Sequence, residues 1–186
     1  YPTSYIPTSG STVTRAAETA SGAGTVAEFN DSEGVLYAEV SSLAEGGDGH
    51  RITLSDGSIS DRLLIETDES ANTIKFFIAG GGTSRLIATS TTQVQKESNK
   101  LALNYNGANA KAYINGFSIG EITNANTITG LNTLDLADWD ASTYPYFGKV
   151  KEIATFKTAL TDSELESLTS WTSFNAMATG QLYTIK

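Results

Sequence analysis

Phe147–Leu168 reads FGKVKEIATFKTALTDSELESL, and two periodicities follow one another within it. In the second half Thr161 stands three residues ahead of Glu164. That is the spacing at which a hydroxyl accepts from the backbone N–H three residues on, while the carboxylate reaches back to the cap. Leu165 and Leu168 continue at helical spacing, so a short helix over Asp162–Ser170 with one apolar side is expected. In the first half, strict alternation puts Val150, Ala154 and Phe156 on one face of a strand and Ile153 on the other, unless a bulge brings Ile153 in. A strand and a short helix, late in a strand-rich chain, read as an element that completes a sheet and plugs an open end.

Upstream the alternation has period two. Leu36, Ala38 and Val40 share one face, against Val35, Tyr37 and Glu39. Ile52 and Leu54 oppose Arg51, Thr53 and Ser55, and Leu63 and Ile65 oppose Arg62, Leu64 and Glu66. Ile74, Phe76 and Ile78 form another inward set, as do Leu101, Leu103 and Tyr105, and Leu134 and Leu136 begin a further strand. Asp56-Gly57, Gly80-Gly81-Gly82, Asn106-Gly107 and Asn115-Gly116 punctuate these runs. Asn115-Gly116 suits the positive φ angles of a two-residue hairpin. Before them, Pro2 and Pro7 make Tyr1–Gly10 an edge strand or extended lead-in, and Thr12–Arg15 a short second strand. Short strands at turn-punctuated spacing read as an all-β sandwich in one domain over residues 1–186.

The pattern F-G-x-V-x-E-I-x-x-F-x-x-A-L-T-D-x-E-L resembles the last strand and helix of laminin-G-like domains of the concanavalin A-like superfamily. TSYIPTSGSTVTRAAE at Thr3–Glu18 resembles the start of such domains in bacteriophage tail and other virion proteins. GVLYAEVS at Gly34–Ser41 and AYINGFSIG at Ala112–Gly120 fall where that family has strands and a hairpin. The resemblance implies an antiparallel jelly-roll β-sandwich with one short helix near the C-terminus, in a virion or extracellular setting. It does not name an activity, because this fold hosts lectins, binding modules, hydrolases, lyases and spacers.

Composition narrows the classes. The 186 residues are 39% hydrophobic and 18% charged, enough for one sizeable core. A net charge of −9 opposes nonspecific binding to nucleic acid or anionic membranes, so neither nucleic acid nor membrane insertion is expected. The chain has no cysteine, which excludes disulfides and thiolate metal sites. No apolar run approaches the length of a membrane span. Tyr1 in place of an initiator Met points to a domain from a larger parent. The oligomeric state is left open.

Catalytic constellations are incomplete. Family glycosidases carry E-x-D-x-x-E along a strand, whereas Glu66-Thr67-Asp68-Glu69-Ser70-Ala71 ends on alanine and runs into a turn. The single histidine, His50, has no Q-I-H context of the alginate-lyase branch, and no G-x-S-x-G elbow exists to pair with it. Acidic loops at Asn30–Glu33 and Glu45–Asp48 leave room for a calcium of the kind family members carry, without regular ligand spacing. No other cofactor is expected.

Recognition is better supplied. Ala137–Phe147 concentrates Asp138, Trp139, Asp140, Tyr144 and Tyr146 around a proline in a loop. Flat rings stack on the apolar face of a pyranose, and carboxylates accept its hydroxyl protons. Phe147 is expected to be a buried anchor on the family pattern. A second candidate surface is the non-core strand face carrying Tyr37, Glu39, Arg51, Arg62 and Glu66. Trp171 and Phe174 are expected to pack the helix down. The leading expectation is therefore a noncatalytic module for polysaccharide or oligosaccharide. The alternatives are a virion decoration or spacer domain without glycan binding, and a polysaccharide-active enzyme.

Overall fold

A computed structural model of the protein describes residues 22–42, 49–67, 71–91, 97–123, 126–173 and 176. The expected lead-in at Tyr1–Gly10, the strand at Thr12–Arg15, the acidic loop at Glu45–Asp48, Asp68 and Phe174 lie outside the described residues.

Among the described residues, ten strands build two five-stranded antiparallel sheets. They are β1 (Glu33–Ser42), β2 (His50–Ser55), β3 (Arg62–Thr67), β4 (Ile74–Gly80), β5 (Thr83–Ser90), β6 (Asn99–Asn106), β7 (Asn109–Ile114), β8 (Phe117–Ile122), β9 (Thr133–Asp135) and β10 (Gly148–Phe156). One helix, α1 (Asp162–Thr169), follows among the described residues, and it is too short to cross a membrane. The first sheet runs β10-β1-β6-β7-β8 and the second β5-β4-β3-β2-β9.

The alternation seen in the sequence sets the core. Leu36, Ala38, Val40, Leu101 and Leu103 face Ile52, Leu54, Leu63, Ile65, Phe76 and Ile78 across the sandwich. Each such fully buried aliphatic chain contributes about 1.5–3 kcal/mol. The expected hairpin is present, with Asn115 at φ 50° and Gly116 at φ 90°. At the open side, β8 meets β5 so closely that a Cβ on Gly120 would lie 2.8 Å from the Ala88 side chain.

Two expectations change in the closing element. β10 carries a bulge: Glu39 pairs with Glu152 but Val40 with Val150, leaving Lys151 as the extra residue. The half-period slip places Ile153 against the main core and leaves Ala154 and Phe156 on the opposite face, so Val150 does not share their side. The helix begins as expected, with Thr161 and Glu164 in a complete capping box. It does not plug an end of the sandwich. Leu165 and Leu168 lie on the outer face of the first sheet, over Val35, Tyr37, Ala102 and Tyr113, and make a second small core there.

Candidate functional site

β9 pairs with β2 only at Thr53, Leu54 and Ser55. Beyond Asp135 the chain leaves the ladder as a loop, 136–147, beside β2 and β3. Tyr144 takes over as partner of β2, its carbonyl accepting from Arg51 N at 3.1 Å. Two internal bonds of 2.8 Å, Tyr146 N to Leu136 O and Asp138 N to Thr143 O, close the loop on itself. Thr53 Oγ1 ties it down by donating to Ala137 O at 2.7 Å.

The loop is strained and then held. Ala141 and Tyr144 sit at φ 57° and 52°, left-handed conformations that cost a non-glycine residue about 1–2 kcal/mol. Asp140 offsets part of this. Its Oδ1 accepts from Thr143 N at 2.8 Å, Ser142 N at 3.1 Å and Thr143 Oγ1 at 2.8 Å. The Thr143 and Ser142 N–H groups hold its pKa down to about 2.

Beneath the loop lies a chain of alternating charge. Arg62 Nη1 donates to Asp138 Oδ1 at 2.6 Å, and Arg51 Nη1 to Asp138 Oδ2. Arg51 Nε donates to Glu66 Oε2 at 2.6 Å, and Lys75 Nζ stands 3.9 Å from Glu66 Oε1. Burial works against the charge on Arg51, but Glu66 and Asp138 outweigh it and raise its pKa. The Arg51 guanidinium lies 3.9 Å from the Tyr144 ring centroid, a cation–π contact that seats the ring. Tyr144 nevertheless stays 39% exposed and Phe147 55% exposed. His50 Nδ1 is 2.8 Å from Pro145 O, which can only accept, so Nδ1 carries the proton. The His50 ring lies 6.0 Å from that of Phe147.

The candidate residues therefore separate. Tyr144 is presented to solvent, and Trp139 and Asp140 are half-buried in the same loop. Asp138 is buried, with one oxygen on each arginine, so it clamps the loop and does not reach a ligand. Arg62 is buried under the same loop. Arg51 supports Tyr144 from below. Tyr146 turns inward against the main core, a correction to its expected display. Phe147 is corrected the other way, from anchor to surface ring. His50 joins it, and nothing in its lone occurrence marked it.

Tyr37 needs the largest correction. It is 3% exposed under α1, and burial, then Glu39 and Glu152, push its hydroxyl pKa up. The proposed strand face was never one surface, because β1 belongs to the first sheet and β2 and β3 to the second. Glu39 is likewise buried, accepting from Lys151 Nζ at 2.7 Å. Trp171 is half-buried, and Lys100 Nζ stands 5.0 Å from its ring centroid.

The acidic stretch 30–33 does not fit a calcium ion. Asp31 spends both carboxylate oxygens on the N–H groups of Gly130 and Leu131, and Glu33 accepts from Ala159 N. Among the described residues no His, Cys, Asp and Glu gather as a metal site.

Residues 16–166 match the family Laminin_G_3, described as the concanavalin A-like lectin/glucanases superfamily. The chain belongs to this superfamily. No curated protein matches it in sequence. Among solved structures, the superfamily fold recurs in the Ruminococcus gnavus IT-sialidase CBM40 bound to α2,3-sialyllactose. That structure has a TM-score of 0.63 and 15% identity over 83% of this chain and 97% of that one. Domain 4 of a GH43 extracellular arabinanase from Geobacillus stearothermophilus, in complex with arabinotriose, scores 0.60 at 17% identity, over 76% of this chain and 68% of that one. A heptameric SAP-like pentraxin from Limulus polyphemus scores 0.63 at 10% identity, over 83% and 76%. At such identities the likeness is one of fold.

Proposed function

We propose that this superfamily member is a noncatalytic carbohydrate-binding module, taking a saccharide on the rings of Tyr144 and Phe147 with Trp139 at their flank. The observation that carries the reading is Tyr144 itself. A large ring is held in left-handed backbone, seated on the half-buried Arg51, and still left open to solvent. Strain of this kind persists where rigid presentation of a side chain matters. Two of the similar structures are saccharide complexes of modules attached to glycan-active enzymes, which supports the same class of ligand here. Support for binding over turnover comes from the carboxylates: Asp138 and Glu66 are engaged by arginines and do not stand free beside the rings. The module works outside the cell, and the resemblance of Thr3–Glu18 to tail-protein domains supports attachment of a phage particle to a glycan as its task.

Calorimetry and amide-resolved NMR titration with sialyllactose, arabinotriose and common polysaccharide fragments test this. Binding should perturb 139–147 and weaken about tenfold in Tyr144→Gly, equivalent to about 1.4 kcal/mol. That variant should keep its stability within about 1 kcal/mol, since glycine relieves the strain while the cation–π contact is lost. A folded protein that binds nothing on the panel at millimolar saccharide would refute the reading.

A further inference from the structure

The face away from the aromatic loop carries a second recess. The segment 157–162 crosses the outer face of the first sheet before α1 and is tied to it at successive residues. Ala159 N donates to Glu33 Oε2 at 3.0 Å and Leu160 N to Asn104 Oδ1 at 2.9 Å. Thr161 N donates instead to Glu164 Oε2 at 2.8 Å, inside the α1 cap, which joins the end of the strap to the helix. Between this strap and β6–β8 lies a groove of about 610 Å³, within the range of small-ligand sites. Strand register fixes its polar groups: Asn106 faces Asn109 across the hairpin, and Lys111 lies between Asn104 and Glu121. The amide side chains of Asn106 and Asn109 stand exposed at the mouth, and Ile122 and Leu160 supply apolar surface within.

Charge decides the ligand class. Lys111 Nζ is engaged by Asp162 Oδ1 at 2.6 Å and stands 3.9 Å from Glu121 Oε2. One cation between two carboxylates repels phosphate, sulfate and carboxylate ligands. Amides around an apolar bed, on rigid strands, suit a ligand that offers both hydroxyls and C–H faces. We propose that this groove is a second saccharide site, specific for a neutral sugar and independent of the aromatic loop.

The test is amide-resolved NMR titration of the full chain with cellotriose, maltotriose, arabinotriose and chitotriose, and with a sulfated trisaccharide as the charged control. Neutral probes should shift 104–111, 121–123 and 159–162. Asn106→Ala with Asn109→Ala, both on an exposed hairpin end, should weaken that binding about tenfold, as loss of two amide hydrogen bonds implies. Tyr144→Gly should leave these groove shifts unchanged, so failure here and failure at the aromatic loop are read separately. Absence of groove shifts with every neutral probe, groove shifts that survive the double substitution, or preference for the sulfated sugar would each overturn the proposal.

Discussion

Asp138 and Asp140 stand two residues apart and do different work. Asp138 bridges two arginines beneath loop 136–147, with Glu66 as the second carboxylate of the cluster, and removing one partner leaves charge without compensation. Asp138→Ala should therefore lower stability by about 3 kcal/mol in urea unfolding. A loss below about 1 kcal/mol would place the pair among ordinary surface bridges. Asp140 acts through the backbone of the loop. Its folded pKa of about 2 lies below the usual aspartate value, so its contribution is present above about pH 4 and lost as pH falls through 2. Trp139 emission should hold steady down to about pH 4 and change below it, and Asp140→Asn should remove that step. In the sequence these residues were visible as an aromatic-acidic cluster, and the loop was correctly placed. Which of them faces solvent was not legible, because burial of Asp138 depends on arginines from β2 and β3, many positions away.

At the level of elements, α1 is the most sequence-determined part of the molecule and the least able to stand alone. Eight residues are too few for a helix stable in water, so its cap and its apolar side must be held by the sheet. Thr161→Ala removes the cap and should cost about 1 kcal/mol. Leu165→Ala opens the small core over Tyr37 and Tyr113 and should cost about 3 kcal/mol, with near-ultraviolet dichroism reporting looser tyrosines. Equal effects of the two substitutions would mean that the helix is held by its cap and not by packing. The strand that precedes it shows the limit of pattern. Alternation in 148–156 is legible, but the bulge at Lys151 reverses which residues meet the core, and a bulge is chosen by the partner strand.

For the molecule as a whole, the sheet order β10-β1-β6-β7-β8 joins the last strand to the first described one. Pairings so distant in sequence must form against loop-closure entropy, so refolding should fall in the range of about milliseconds to seconds. Stopped-flow fluorescence checks this, and a microsecond phase carrying the full amplitude would contradict it. Residue pattern alone set the alternation of β1, β2, β3, β4 and β6, the Asn115-Gly116 hairpin, the capped helix and the absence of cysteine chemistry. These are local facts, written in residues two to four apart. Long-range packing put Tyr37 and Arg51 on different sheets, laid α1 over a face, and left Tyr144 and Phe147 outside while Tyr146 and Asp138 go in. Alternation tells which residues share a side of a strand; which sheet that strand joins, and what lies over it, is set by contacts between residues far apart in the chain.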